Sequence, residues 1–360
     1  MAKKKKNFSS FVNNPVDFTL LITILLLLAI GLTMVLSASS PSALSETGNS
    51  YSFFSKQLFF AVIGLACMLF ISKIDYRFYK KFYKHSWWIA LALLLLVLIA
   101  GKTINGAKRW LYLTESLSFQ PSEVVKLLMI IFYAGVLVKN RDELSKYGKG
   151  FIKHILFLVP IIGLLLIEPH FSASIVIIAI VSVMMIMAGC KFWHFIATGG
   201  TVGVMGAVIL IVKEPYRLQR VVTFLDPWKD ATGNGWQVIQ SLYAIGSGGL
   251  FGLGLGESKQ KYLYIPEPHN DFIFSILGEE LGFIGCAVVL ILFAIFIWRG
   301  ILIAMKAPDM FGSLIAIGIT TLVAIQVIIN VAVVTSSMPA TGMPLPFFSY
   351  RRNGTYDFIM

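Results

Sequence analysis

Cysteine is scarce in this chain of 360 residues, and charge is scarcer than a soluble protein would carry. The three cysteines, Cys67, Cys190 and Cys286, all fall within hydrophobic runs. No disulfide scaffold is implied, and core packing is the expected role of each. Only 13% of residues are charged while 57% are hydrophobic. A soluble domain carries about a quarter charged residues, so that class is excluded. No His/Cys/Asp cluster has the spacing of metal ligands. The glycine-rich run Gly246–Gly256 lacks the Lys-Ser/Thr ending of a phosphate-binding P-loop. Its glycines are expected to allow close backbone packing or a bend at membrane depth. The opening MAKKKK precedes a span too long for a signal peptide, without a clear cleavage site, and reads as a cytoplasmic tail. No internal repeat is visible.

What fills the chain instead is a series of apolar windows longer than about 18 residues, each able to cross a bilayer. The fold class expected is an all-α polytopic membrane protein of about nine transmembrane helices. The spans are read at about Asp17–Ser37, Phe54–Ile71, Trp88–Ala100, from Pro121, Ile155–Ile167, then to Ala188, to Val212, Asp271–Trp298 and Phe311–Val334. A large extracytoplasmic loop, about 214–270, separates spans seven and eight. Residues 1–16 form the basic tail, 17–350 a single transmembrane domain, and 351–360 an atypical tail. The net charge of +12 is concentrated at Lys3–Lys6, Lys73–Lys84, Lys139–Lys153, Lys191 and Arg299–Lys306. With the amino terminus inside, these lie on one side, the positive-inside bias of a membrane protein rather than a nucleic-acid surface.

Polar residues at or within the membrane are the candidates for chemistry, because ionisable groups there are costly. Glu123 and Lys126 are three apart at the start of span four and share a helix face. An ion pair and a substrate role are equally open for them. Glu279 and Glu280 sit deeper in span eight, where hydrogen-bonded packing is expected. Asp271 stands where the polar loop meets span eight and could cap that helix or act as a base. Lys108, Arg109, Arg217, Arg220 and Lys261 are outside-facing cations set against the charge bias. They suit a phosphate or lipid headgroup. His269 reads as a ligand, a second base or a hydrogen-bonded loop residue. Three prolines keep Met338–Tyr350 from forming a continuous helix, so it reads as a re-entrant or interfacial loop.

Several motifs, in order along most of the chain, resemble the SEDS family (shape, elongation, division and sporulation: FtsW, RodA, SpoVE). They are Asn105-Gly-Ala-Lys-Arg-Trp110, Gln120-Pro-Ser-Glu123 with Lys126, Arg217 and Arg220 before Phe224-Leu-Asp-Pro-Trp228, and Gln240 through Gly249. Lys261, Pro266-Glu-Pro-His-Asn-Asp-Phe-Ile-Phe274, Gly278-Glu-Glu-Leu-Gly282 and Asn330 through Ser349 complete them. Gly278 and Pro268 are more like the FtsW/SpoVE branch.

The resemblance implies a peptidoglycan glycosyltransferase that polymerises lipid II at the outer face of the bacterial plasma membrane. A growing glycan strand is the acceptor and a class B penicillin-binding protein, a transpeptidase, the partner. The family's essential aspartate falls on Asp271. Lys108, Arg109, Glu123, Lys126, Arg217, Arg220, Lys261, Glu267 and His269 become candidate substrate-binding residues. No metal ligands are implied, although a divalent cation bridging pyrophosphate and carboxylate stays open. Three departures stand out: His170 where the family usually has an acid, Ser336 in place of a glycine, and Arg351–Met360 where a tenth span is expected. The last reads as a truncation or frameshift. Two other functions compete: a transporter (flippase) for the lipid-linked precursor, and a non-enzymatic scaffold for a transpeptidase.

Overall fold

A computed structural model describes residues 16–104, 107–114, 117–198, 224–231, 233, 235–262 and 271–348. Eight helices among them are long and apolar enough to cross a membrane. Most of the seventh expected span, and residues 351–360, lie outside the described residues.

The first helix, α1 (Phe18–Thr47), starts where the Asp17 side chain accepts the Leu20 amide at 3.0 Å. It continues past Ser37 to Thr47, through Pro41. Ala38, Ser39, Ser42 and Ala43 are buried, so this small-residue turn stays helical under packing although its composition suggests an exit. Next come α2 (Ser52–Ile71) and α3 (Arg77–Ala100). The third helix begins eleven residues before the expected Trp88. Its first turns are amphipathic: Tyr76, Tyr79 and Tyr83 pack on the core while Lys81 and Lys84 face out.

Residues 101–120, between the third and fourth spans, contain a three-stranded antiparallel sheet. Strands β1 (Lys102–Ile104), β2 (Ala107–Thr114) and β3 (Leu117–Phe119) pair in that order, with Lys102 opposite Trp110 and Leu111 opposite Phe119. Trp110, Leu111, Tyr112 and Leu113 supply the aromatic and branched residues that strands favour, but the segment is too short to reveal a sheet by alternation.

Then follow α4 (Pro121–Lys139), with proline in its first turn, α5 (Lys153–Ile167), α6 (Phe171–Ala188) and the short α7 (Phe192–Thr198). After them come α8 (Trp236–Gly248), α9 (Ile273–Lys306) and α10 (Met310–Val334). Here α10 packs against α4, α6 and α9, and α1 and α8 also pack against α9. The core runs through these contacts, with Met34, Tyr133, Phe293, Phe311 and Phe348 fully buried.

At 34 residues, α9 would be about 51 Å long if straight, well over the roughly 30 Å hydrocarbon core. It is broken at Gly282, where φ is +66° and ψ −166°. Such a break frees backbone groups at membrane depth, where each needs a partner. The glycine-rich segment provides them. The Glu279 and Glu280 carbonyls accept the amides of Leu253 (2.9 Å) and Gly254 (3.1 Å), while the Phe283 and Ile284 amides donate to Gly249 (2.9 Å) and Leu250 (3.1 Å). A Cβ on Gly252 would collide with the Glu280 carbonyl. The run therefore serves the close packing expected of it.

Residues 335–348 are non-helical, as their prolines require. This segment re-enters the bundle: the Phe347 carbonyl sits against Gly31 of α1, and the Phe347 and Phe348 rings lie tilted against Phe293.

Candidate functional site

One end of the bundle gathers the basic loops and the pairs Arg299–Asp17 (2.6 Å) and Arg77–Asp309 (3.7 Å). The opposite end gathers the start of α4, the α5–α6 turn, the sheet, the end of α10 and Asp271.

Asp271 stands one residue before the N-cap of α9, Phe272. It is half-buried. Two elements hold it. Asn330 of α10 is 1% exposed, and its amide donates to the Asp271 carbonyl at 2.8 Å and to the Met343 carbonyl at 2.7 Å. Gly342, with φ of +66°, lies against the carboxylate so closely that a Cβ there would come within 3.3 Å of Oδ2. The backbone conformation favours glycine here, and a side chain would also crowd the carboxylate oxygen. The same loop is tied to α6 where Ser172 Oγ donates to the Thr341 carbonyl at 2.6 Å.

Next to this stands the α5–α6 turn. Arg109, on β2, donates to the backbone carbonyls of Glu168 and Pro169, strapping the sheet to the turn. His170 faces Gln120 Nε2 at 3.2 Å, so a buried imidazole–amide pair occupies this turn. Glu168 is 2% exposed, and no hydrogen-bond partner reaches its Oε1 among the described residues. Burial pushes its carboxyl up to about 8, against the opposing pull of the Arg109 guanidinium.

Glu123 and Lys126 form an ion pair at 2.7 Å across one helical turn, one of the two readings left open for them. Lys126 is buried, whereas the Glu123 side chain is 46% exposed, so the pair runs from the bundle interior to its edge. Lys108 is exposed, with Nζ 3.5 Å from the Leu98 carbonyl.

The structure moves one candidate away from this group. Lys261, read as an outside-facing cation, turns its ammonium inward onto Glu280 at 3.0 Å and is buried. The loop before it folds back on the broken α9, which carries two acids at that depth. Glu279 accepts from Ser258 Oγ (2.5 Å) and the Lys259 amide (2.9 Å), the hydrogen-bonded packing expected of these acids. Arg217, Arg220, Glu267 and His269 lie outside the described residues. Among the described residues no group of three or more His, Cys, Asp or Glu side chains could hold a metal ion.

The sequence reading missed Glu168, Thr341 and the role of Asn330. Asn330 is visible in the sequence only as a polar residue in an apolar span, four after Gln326. Its actual partners, the two loop carbonyls, have no signature in side-chain pattern.

Residues 18–353 match the FtsW/RodA/SpoVE family, described as cell cycle proteins. The chain is 44% identical to stage V sporulation protein E of Bacillus subtilis over 93% of its own length and 91% of that protein. It is 41% identical to a probable peptidoglycan glycosyltransferase FtsW of Trichlorobacter lovleyi, over 93% and 88%. Its fold is similar to a chain of a solved peptidoglycan synthase complex that coordinates polymerization and crosslinking, with a TM-score of 0.78 at 28% identity, covering 93% and 92% of the two chains. It is also similar to the rod shape determining protein RodA of Thermus thermophilus, with a TM-score of 0.67 at 25% identity, over 93% and 90%.

Proposed function

The chain belongs to the FtsW/RodA/SpoVE family of cell cycle proteins, and from that membership we propose that it is a peptidoglycan glycosyltransferase, polymerising lipid II at the outer face of the plasma membrane with Asp271 as general base. Relatives near 40% identity that carry the glycosyltransferase name support the reaction class. Asp271 carries the assignment within this chain: it is a half-buried carboxylate at the end of the bundle away from the basic loops, fixed by Asn330 and Gly342.

Glycan extension joins a sugar hydroxyl to an anomeric carbon that bears a lipid diphosphate. An alcohol is a poor nucleophile at neutral pH. A carboxylate that takes its proton as the bond forms contributes about 10²–10⁴-fold. The departing diphosphate carries negative charge and needs cations. Arg109 and Lys108 on β2, with Arg217 and Arg220 of the long loop, supply them in this proposal, arginine offering two parallel donors to a phosphate. Lys126, held by Glu123, adds a cation from within the bundle. Glu267 and His269 of the same loop complete the proposed binding set. The synthase complex among the structural relatives supports a transpeptidase of the class B penicillin-binding type as partner.

The test is polymerisation of lipid II by the purified full chain with its transpeptidase partner, read as glycan ladders on a gel. Wild type should form polymer; Asp271→Ala and Asp271→Asn should lose it while melting like the wild type. Polymer formed by Asp271→Ala at the wild-type rate would remove Asp271 from the chemistry. A folded wild type that makes no polymer with its partner would remove the reaction itself.

A further inference from the structure

Lys261 and Glu280 form an ion pair away from water, at 3% and 1% exposure. The Lys261 ammonium also donates to the Gly256 carbonyl (2.5 Å) and to Ser37 Oγ of α1 (3.2 Å). Ser37 Oγ lies 2.6 and 2.7 Å from the two Glu280 oxygens. The neighbouring Glu279 takes up Ser258, Lys259 and Gln260 of the same loop. Adjacent acids on the first half of α9 thus hold the segment 256–261 at its backbone and at its lysine.

The position in the chain matters. Asp271 lies between the two partners, ten residues after Lys261 and nine before Glu280. From Ile273 to Glu280 the chain is the first part of α9, so Lys261 and Ser37 hold the helix that begins just after Asp271. Glu280 is itself fixed by the break at Gly282 and by α1 through Ser37.

We propose that Lys261 is a positioning residue, an ammonium that braces the first part of α9, with Asp271 just before its N-cap, through Glu280 and Ser37, and not a ligand of the substrate diphosphate. This rests on the glycosyltransferase reading above. The electrostatics give the proposal a distinctive signature. Removing one member of a buried pair strands the other charge, whereas neutralising both with residues of similar shape removes the imbalance. A substrate-binding lysine cannot be rescued in that way, because the lost charge faces the ligand.

The experiment compares Lys261→Met, Glu280→Gln and the double variant in lipid II polymerisation at limiting and saturating substrate, with melting temperature measured in parallel. Each single variant should lower kcat about tenfold or more at a nearly unchanged KM and lower the melting temperature. The double variant should return to within about threefold of wild type in kcat and recover most of the melting temperature. A double variant that melts normally but polymerises no better than Lys261→Met overturns the proposal, as does a Lys261→Met that raises KM alone. Should the wild type itself make no polymer, the reaction reading falls separately. The melting temperatures then still decide the clamp: recovery in the double variant supports it, and no recovery overturns it.

Discussion

Asn330, one turn from the end of α10, donates its side-chain amide to the backbone carbonyl of Asp271 at 2.8 Å. The second bond of the same amide reaches Met343, so one buried residue joins the start of α9 to the proline-rich loop. Asn330→Asp keeps the shape but sets a carboxylate against two carbonyls. The expected cost is about 1–3 kcal/mol for the buried groups left unpaired, with at least a tenfold drop in lipid II polymerisation (about 1.4 kcal/mol of transition-state stabilisation). Thermal unfolding in detergent alongside gel-based polymer assays measures both; an unchanged Asn330→Asp would show that the bridge contributes little.

Gly282 occupies a backbone conformation closed to side chains, and a Cβ there would collide with the Gly252 amide nitrogen. Gly282→Ala should cost about 1–3 kcal/mol, more if the 249–254 segment must move. Gly64 on α2 is a control, since a Cβ there meets nothing within 4 Å. Gly64→Ala should leave stability unchanged or raise it by about 0.5–1 kcal/mol. Equal melting temperatures for the two variants would contradict the tight helix break.

Glu168 makes stability depend on pH. Its carboxyl titrates near 8 in the fold, above the ordinary 4.5, because burial disfavours the anion. Below pH 4.5 the group is protonated in both states and its contribution is fully present. Between 4.5 and 8 the unfolded chain ionises while the folded one does not, so stability falls by up to about 1.4 kcal/mol per pH unit. Glu168→Gln should flatten that decline and melt higher than wild type at pH 8. Parallel pH profiles of the two proteins would refute this.

Arg299 grips Asp17 through Nε and Nη2, and Asp17 also caps α1. The guanidinium holds the Asp17 carboxyl below its usual range. This stabilisation is present above the unfolded pKa of 3.8 and is lost as pH falls through the lower folded value. Asp17→Ala, which removes cap and pair together, should cost about 1–3 kcal/mol and loosen α1 from α9. Hydrogen exchange in the first turns of α1 reports it, and wild-type protection in the variant would argue against the contact.

Hydrophobic run length and the one-sided distribution of basic residues determined the membrane spans, the bundle class and the expected orientation, because crossing a bilayer constrains every position of a helix. The same logic made Glu279 and Glu280 visible as buried acids and Glu123–Lys126 as a pair, since their spacing is local. Family motifs drew attention to Asp271 before any geometry was known.

Only the tertiary structure decided what holds that aspartate and where the cations point. Lys261 faces Glu280 because the loop folds back across a broken helix, and the break is satisfied by backbone amides of distant glycines. Asn330 finds carbonyls of Asp271 and Met343 rather than a neighbouring helix side chain. Backbone partners of this kind carry no side-chain signature, so no reading of residue types could have supplied them.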